Sequence, residues 1–267
     1  MSAASSAVSH ALADSVTMLR RQLRHMLRYP TLILTAAGVP VVFLLLFVYV
    51  LGGILGTGLG GPSGGRDAYV NYVVPGVILM TVATSAQGTA ISVAIDMTEG
   101  IVARFRTMAI ARVSVLTGHV LGSLIQTLLS IAAVIGVALL VGFEPTADPG
   151  AWLGAIGVLA MIVLALTWLS VALAMVAKSV ATASNMLTPM MILPMMGSGF
   201  VPTDSMSGGL KWFAEYQPFT PFIETLRGLL MGTPIGNSAT LTIGWCTLIA
   251  LGGYLWARKR YNREPTR

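Results

Sequence analysis

The groups that carry most protein chemistry are scarce in this 267-residue chain, and none falls in a reactive pattern. The three lysines, Lys178, Lys211 and Lys259, follow Ala177, Leu210 and Arg258. A phosphate-binding G-x-x-x-x-G-K-[ST] loop needs glycine before its lysine, so none is present. No H-E-x-x-H zinc motif and no G-x-S-x-G nucleophile elbow occurs. Met186, Met190, Met191, Met195 and Met196 crowd one stretch, but soft-metal ligation wants Cys or His support there, and Cys246 lies elsewhere. Methionine in such numbers suits an adaptable apolar surface. What remains is hydrogen-bonding chemistry. Ser85, Gln87, Gln126, Ser184 and Asn185 sit within apolar stretches, where polar side chains bond helix to helix or line a path for a solute. Ser85, Gln87, Gln126 and Asn185, with Met190, are the candidate path. No cofactor or metal is expected on this chain, and energy for any work must come from another one.

The elements that position these residues are six charge-free runs. They lie between Arg28 and Arg66 (37 residues), Asp67 and Asp96 (28), Arg112 and Glu144 (31), Asp148 and Lys178 (29), Lys178 and Asp204 (25), and Arg227 and Arg258 (30). About 20 apolar residues carry a helix across ~30 Å of hydrocarbon. Hydrophobic residues make up 55% of the chain and charged residues 10%, far from the roughly one quarter charged in soluble domains. The runs lack the alternation of a membrane barrel strand. They predict an all-α membrane protein with six transmembrane helices, at about 31–55, 70–95, 116–142, 152–177, 182–202 and 237–257. Residues 31–257 then form one six-span domain, between a cytoplasmic tail with an interfacial helix (1–30) and a basic tail (258–267). One side of the membrane receives 13 of the 16 Lys and Arg, and the other only Arg66, Lys211 and Arg227. Basic residues accumulate on the cytoplasmic side, so both termini are expected there. This placement accounts for the net charge of +6 without a nucleic-acid partner. The single Cys246 allows no intrachain disulfide and is expected to pack.

Three segments outside the spans stand out. Residues 14–28 put Val16, Leu19, Leu23 and Leu27 at helical spacing, with Arg20, Arg21, Arg24 and Arg28 on other faces. Such a helix lies in the interface, its cations toward anionic lipid headgroups, and is placed to touch a cytoplasmic partner. The loop 96–114 sets Ile101, Phe105, Met108 and Ala109 on one face and Arg104, Arg106 and Arg112 elsewhere. A plain solvated loop needs the charge but not the apolar stripe; a docking helix needs both. The outer segment 203–236 holds Trp212, Phe213, Tyr216, Phe219 and Phe222, and aromatics favour the membrane boundary. It predicts a re-entrant hairpin before the last span. One short helix covers 207–216; a second is capped by Thr220, starts at Pro221 and ends at Gly228 or Gly232. The glycine-rich stretch Gly52 to Gly65 is expected to lack fixed structure. Pro75 is expected to kink or restart the second span, and Pro189 and Pro194 to bend the fifth.

Several motifs resemble those of the type-2 ABC transporter permeases, especially the daunorubicin-resistance-like drug exporters, over nearly the whole chain. Tyr72-Val73-Val74-Pro75-Gly76 resembles that family's Y-x-x-P-G element in span two. Glu99-Gly100, Arg104, Arg112 and Leu116-Thr117-Gly118-His119 resemble its cytoplasmic coupling region. Gln217-Pro218-Phe219-Thr220-Pro221, followed by Arg227, resembles its N-P-x-T-P…R element and is the most specific match. The chain departs from the family at Ile110, where proline is common, and at His119, where lysine is common. The resemblance implies an export permease in a bacterial plasma membrane, without catalysis of its own. A second permease copy or paralogue would pair with it, and two ABC ATPase subunits carrying ATP and Mg would bind below. Coupling to the ATPase would fall to Arg20, Arg24, Glu99, Gly100, Arg104, Phe105 and Arg112. The outer gate would use Trp212, Phe213, Gln217, Pro218, Thr220, Pro221 and Arg227. Cargo would be hydrophobic and drug-like or lipid-like; lipid or polysaccharide export within the same superfamily is the alternative. A secondary transporter or channel is a separate reading, and its ion-coupled form is weakened because no span holds an ionised residue away from its ends. A membrane scaffold without transport leaves the aromatic outer segment without a purpose.

Overall fold

The computed structural model describes the backbone of residues 31–60, 65–98 and 112–263, and the side chains of 36–56, 65–98 and 120–260. Nine α-helices occur among the described residues: α1 (Thr31–Leu46), α2 (Gly52–Gly60), α3 (Arg66–Thr98), α4 (Arg112–Val141), α5 (Pro149–Ala174), α6 (Val180–Ile192), α7 (Gly208–Tyr216), α8 (Phe219–Met231) and α9 (Ser238–Arg263). A π-helical turn, Phe47–Leu51, joins α1 to α2. Among the described residues, five stretches are long and apolar enough to cross a membrane: Ala36–Gly56, Arg66–Thr98, Val120–Val141, Pro149–Ala174 and Ser238–Arg260.

The expected span at 182–202 is broken. Its helix α6 has 13 residues, and Leu193–Phe200 continues as turns. The cause lies in two prolines. Each removes an amide donor from the helical ladder, at Pro189 inside α6 and at Pro194 just beyond its end. Other expectations are corrected too. Gly52–Gly60 is helical rather than without fixed structure. Gly52 faces the Arg66 and Tyr69 side chains, and Gly56 lies directly against the Gly65 backbone, so the lack of side chains lets two segments meet. Helix α3 runs through Pro75 without interruption. Thr220 does not cap α8; Pro218 occupies that position and Thr220 lies inside the helix. Gly232 ends α8 in the left-handed conformation, at φ +67°, as the sequence predicts.

Helix α3 is the axis of the bundle and packs against α1, α2, α4, α5, α6 and α8. Helix α5 lies mainly along α9, with Trp168 edge-on to Tyr254 at 5.0 Å between centroids. Gly253 makes this crossing close: a methyl group there would lie 2.8 Å from both the Trp168 carbonyl carbon and the Leu169 amide nitrogen. Small residues drive such contacts in lipid, where no hydrophobic force pushes helices together. Gly253→Val is therefore expected to separate α9 from α5, lowering stability by about 2 kcal/mol. A fall in apparent melting temperature in detergent measures it, with Gly252→Val, at an open position, as the control. Cys246 is buried on α9, as expected of a packing residue. Large apolar side chains elsewhere remain exposed, among them Val42, Val50, Ile54, Leu140, Leu153 and Leu248.

The ends of the helices near residue 142 are tied together. Gly142 turns the chain at φ +111°. Asp148 caps α5 by accepting from the Ala151 amide at 2.7 Å, with Pro149 next. The Glu144 amide donates to Asn71 Oδ1 at 2.9 Å, and the Thr146 amide to the Leu230 carbonyl at 3.0 Å. The α4–α5 turn is thus bonded to α3 and α8.

Candidate functional site

Breaking a helix frees carbonyl groups, and a buried carbonyl without a donor costs about 1–3 kcal/mol. The Leu193–Phe200 segment creates that problem, and side chains from three other helices meet it. Gln217 Nε2, at the end of α7, donates to the Leu193 carbonyl at 2.9 Å. Tyr72 OH on α3 donates to the Ser198 carbonyl at 2.9 Å. Arg227 Nη2 on α8 donates to the same carbonyl at 2.6 Å and to the Tyr72 carbonyl at 3.1 Å. Tyr69 OH, one turn earlier on α3, donates to the Phe200 carbonyl at 3.2 Å. The Ser198 amide donates to Thr220 Oγ1 at 3.4 Å, and Thr220 Oγ1 donates to the Ala214 carbonyl at 2.5 Å.

Charge and close packing complete this clasp. The Arg227 guanidinium lies over the Tyr72 ring at 3.9 Å, a cation–π contact whose strength rises where water is excluded. A methyl group at Gly76 would lie 2.7 Å from the Gly199 carbonyl oxygen and 2.8 Å from its Cα. Two backbones therefore meet there with nothing between them. Phe47, in the π-helical turn, packs on Phe200 with ring centroids 4.6 Å apart. Ser198 Oγ, Gln217 Oε1 and Arg227 Nε are buried without a hydrogen-bond partner among the described residues.

The two motifs farthest apart in the chain thus meet. Tyr72 and Gly76 of the first, and Gln217, Thr220 and Arg227 of the second, close on one segment. Pro218 and Pro221 shape the start of α8, where Pro221 is buried. Trp212 and Phe213 point elsewhere. They lie on the exposed face of α7 with Tyr216, whose ring is 5.3 Å from that of Trp212. Lys211 on that helix bonds Asp204 at 2.9 Å and lies 3.8 Å from Glu215. The Asp204 hydrogen bond, more than the nearby charges, holds its ammonium above the ordinary lysine range. Ser238 Oγ donates to Glu224 at 2.7 Å, and Thr225 pairs with Thr242 at 3.0 Å, so polar contacts hold α9 to α8.

The path candidates are only partly brought together. Gln87 Nε2 on α3 donates to the Ser184 carbonyl and Oγ on α6, at 3.1 and 3.2 Å. Ser85 is buried on α3 and Met190 on α6, whereas Gln126 is half-buried on α4 and Asn185 is exposed. Thr89 and Ser123 join α3 to α4 at 2.5 Å. Of the coupling candidates, Arg20, Arg24, Glu99, Gly100, Arg104 and Phe105 lie outside the described residues. Arg112 begins α4, and its side chain lies outside them too. Tyr69, Leu193, Ser198 and Gly199 belong to the clasp without having been candidates; Gly197-Ser198-Gly199 just after Pro194 was the available signal for an irregular segment.

Residues 14–231 match the protein family described as ABC-2 type transporter. The chain is 27% identical over 229 residues to the daunorubicin resistance ABC transporter permease protein DrrB1 of Streptomyces coeruleorubidus, covering 84% of this chain and 77% of that relative. It is 22% identical over 224 residues to the probable doxorubicin resistance ABC transporter permease protein DrrC of Mycobacterium tuberculosis, covering 84% of this chain and 79% of that one.

Proposed function

This chain belongs to the ABC-2 type transporter family, and on that premise we propose that it is the permease subunit of an ATP-driven exporter in a bacterial plasma membrane. The observation that carries the reading is the family match over 14–231, which includes both motifs of the clasp. A separate ABC ATPase supplies the energy with ATP and Mg, and a second permease copy or paralogue completes the path. The interfacial helix at 14–28 and the loop at 96–112 carry the contacts with that ATPase. Both termini are cytoplasmic. The sixth crossing is made by α6 followed by Leu193–Phe200, since 13 helical residues reach only about 20 Å at ~1.5 Å each. The clasp makes that crossing tolerable by giving its free carbonyls donors. The exposed aromatic face of α7 lies at the outer membrane boundary.

The cargo is hydrophobic and drug-like or lipid-like. Its support is the apolar character of the spans, together with the drug-resistance names of the relatives. The test is co-purification with the ABC ATPase encoded beside it, followed by daunorubicin uptake into inverted vesicles with and without ATP. ATP-dependent accumulation supports the reading. Uphill movement by the purified chain alone, or labelling that places a terminus outside the cell, overturns it.

Glu99 carries a specific expectation. Reversing its charge with Glu99→Arg should leave membrane insertion intact and lower cargo-stimulated ATP hydrolysis about tenfold or more, since a like-charge contact at an interface costs several kcal/mol. Unchanged stimulation in the reconstituted complex would remove Glu99 from the coupling surface.

A further inference from the structure

We propose that Arg227, with Tyr72, is a positioning residue of the transport cycle: it holds Leu193–Phe200 to α3 and α8 as a fixed fulcrum on which α6 turns. The inference rests on the reading of the chain as an ATP-driven permease and adds where its moving helix pivots.

The chain bends most easily where its helical ladder is already cut. Pro189 and Pro194 lack the amide hydrogens that would have bonded the Asn185 and Met190 carbonyls. Beyond that cut the segment is bonded from three helices: by Gln217 to Leu193, by Tyr72 and Arg227 to Ser198, by Thr220 to the Ser198 amide, and by Tyr69 to Phe200. Before the cut, α6 rests on α3 and α5. One cross-helix side chain bonds it among the described residues, Gln87 to Ser184, and Asn185, Met186 and Ile192 are left uncovered.

The magnitudes decide which side moves. Sliding an apolar helix face in lipid exchanges protein contacts for lipid contacts of similar worth. Pulling the Ser198 or Leu193 carbonyl away from its donors leaves a buried polar group unpaired, at about 1–3 kcal/mol each. A push from below is therefore absorbed by α6, while the segment stays with α3 and α8.

The test uses the complex with its ATPase in membrane vesicles and needs no cargo. In a Cys246→Ser background, spin labels at Ala181→Cys and Lys259→Cys report the distance between the start of α6 and the end of α9. Labelled chains are diluted with unlabelled ones so that only distances within one chain are read. The parent should show a shift of several ångströms when ATP is trapped with vanadate. Arg227→Gln should lose more than half of that shift, Tyr72→Phe part of it, and Arg227→Lys less than Arg227→Gln. A role confined to stability lowers the amount of folded complex but leaves the shift intact in the molecules that fold. The same shift in the parent and in Tyr72→Phe and Arg227→Lys, which keep the ring or the charge, overturns the fulcrum. No nucleotide response in the parent overturns the ATP-driven reading itself, and the fulcrum with it.

Discussion

Gly76→Val is expected to be among the most damaging single changes in the described part of the chain. The first added carbon would stand 2.7 Å from the Gly199 carbonyl oxygen, 2.8 Å from its Cα and 2.9 Å from its carbonyl carbon. All three atoms are backbone, so no rotamer change relieves the clash, and the segment itself must back away from α3. Moving it lengthens the 2.9 Å bond from Tyr72 OH to the Ser198 carbonyl and unseats Arg227. Overpacking of this kind costs about 1–3 kcal/mol, and each hydrogen bond lost adds about 1 kcal/mol. The variant should give little folded protein in detergent and a clearly lower apparent melting temperature. Gly88 lies on the same helix with open space around its Cα, so Gly88→Ala should be neutral or slightly stabilising. Equal losses from Gly76→Ala and Gly88→Ala would mean that the two backbones do not meet as described.

Arg227→Met should cost about 3 kcal/mol, because the side chain keeps its apolar length while two buried carbonyls lose a charged donor. Those carbonyls belong to Tyr72 and Ser198. Tyr72→Phe should cost about 1 kcal/mol, since Arg227 still serves Ser198. The pair should not be additive. Both side chains donate to one oxygen, and residues that share a partner couple by about 0.5–3 kcal/mol. A double-mutant cycle by denaturant unfolding in mixed micelles measures the coupling. A value indistinguishable from zero would show that Tyr72 and Arg227 act independently.

Much of the architecture was legible because lipid imposes a simple rule on sequence. A helix in hydrocarbon excludes charge along its length, so Arg66, Asp96, Arg112, Glu144, Asp148, Lys178 and Arg258 mark where apolar spans end, and the five long helices among the described residues keep such charges at or near their ends. The two short helices before the last span were partly legible from turn chemistry: Gly232 ends α8 as expected, but Pro218 rather than Thr220 precedes its first turn. Two of the errors share one cause, that tertiary contact overrides local preference. Gly52–Gly60 reads as an unstructured stretch but becomes helical where its bare backbone meets Gly65 and Tyr69. Pro75 reads as a break, but α3 runs on through it, with Gly76 held against Gly199. The clasp was half legible. Its motif residues were recognisable one by one, but not that Tyr72 and Arg227 serve the same carbonyl. Tyr72 is 126 positions from Ser198 and Tyr69 is 131 from Phe200. No periodicity connects residues so far apart. Only the prolines and the Gly197-Ser198-Gly199 run after them hinted that a carbonyl there would need a donor.

That separation also sets a schedule for biosynthesis. Tyr69 and Tyr72 leave the ribosome long before the segment that they bond, and at about 5–20 residues per second the wait is on the order of ten seconds. Arg227 arrives later still. During that interval the second span sits in the bilayer with its hydroxyls unclaimed. A nascent chain that stalls before residue 227 is therefore left with an unfinished seam, of the kind that membrane quality control can recognise and remove.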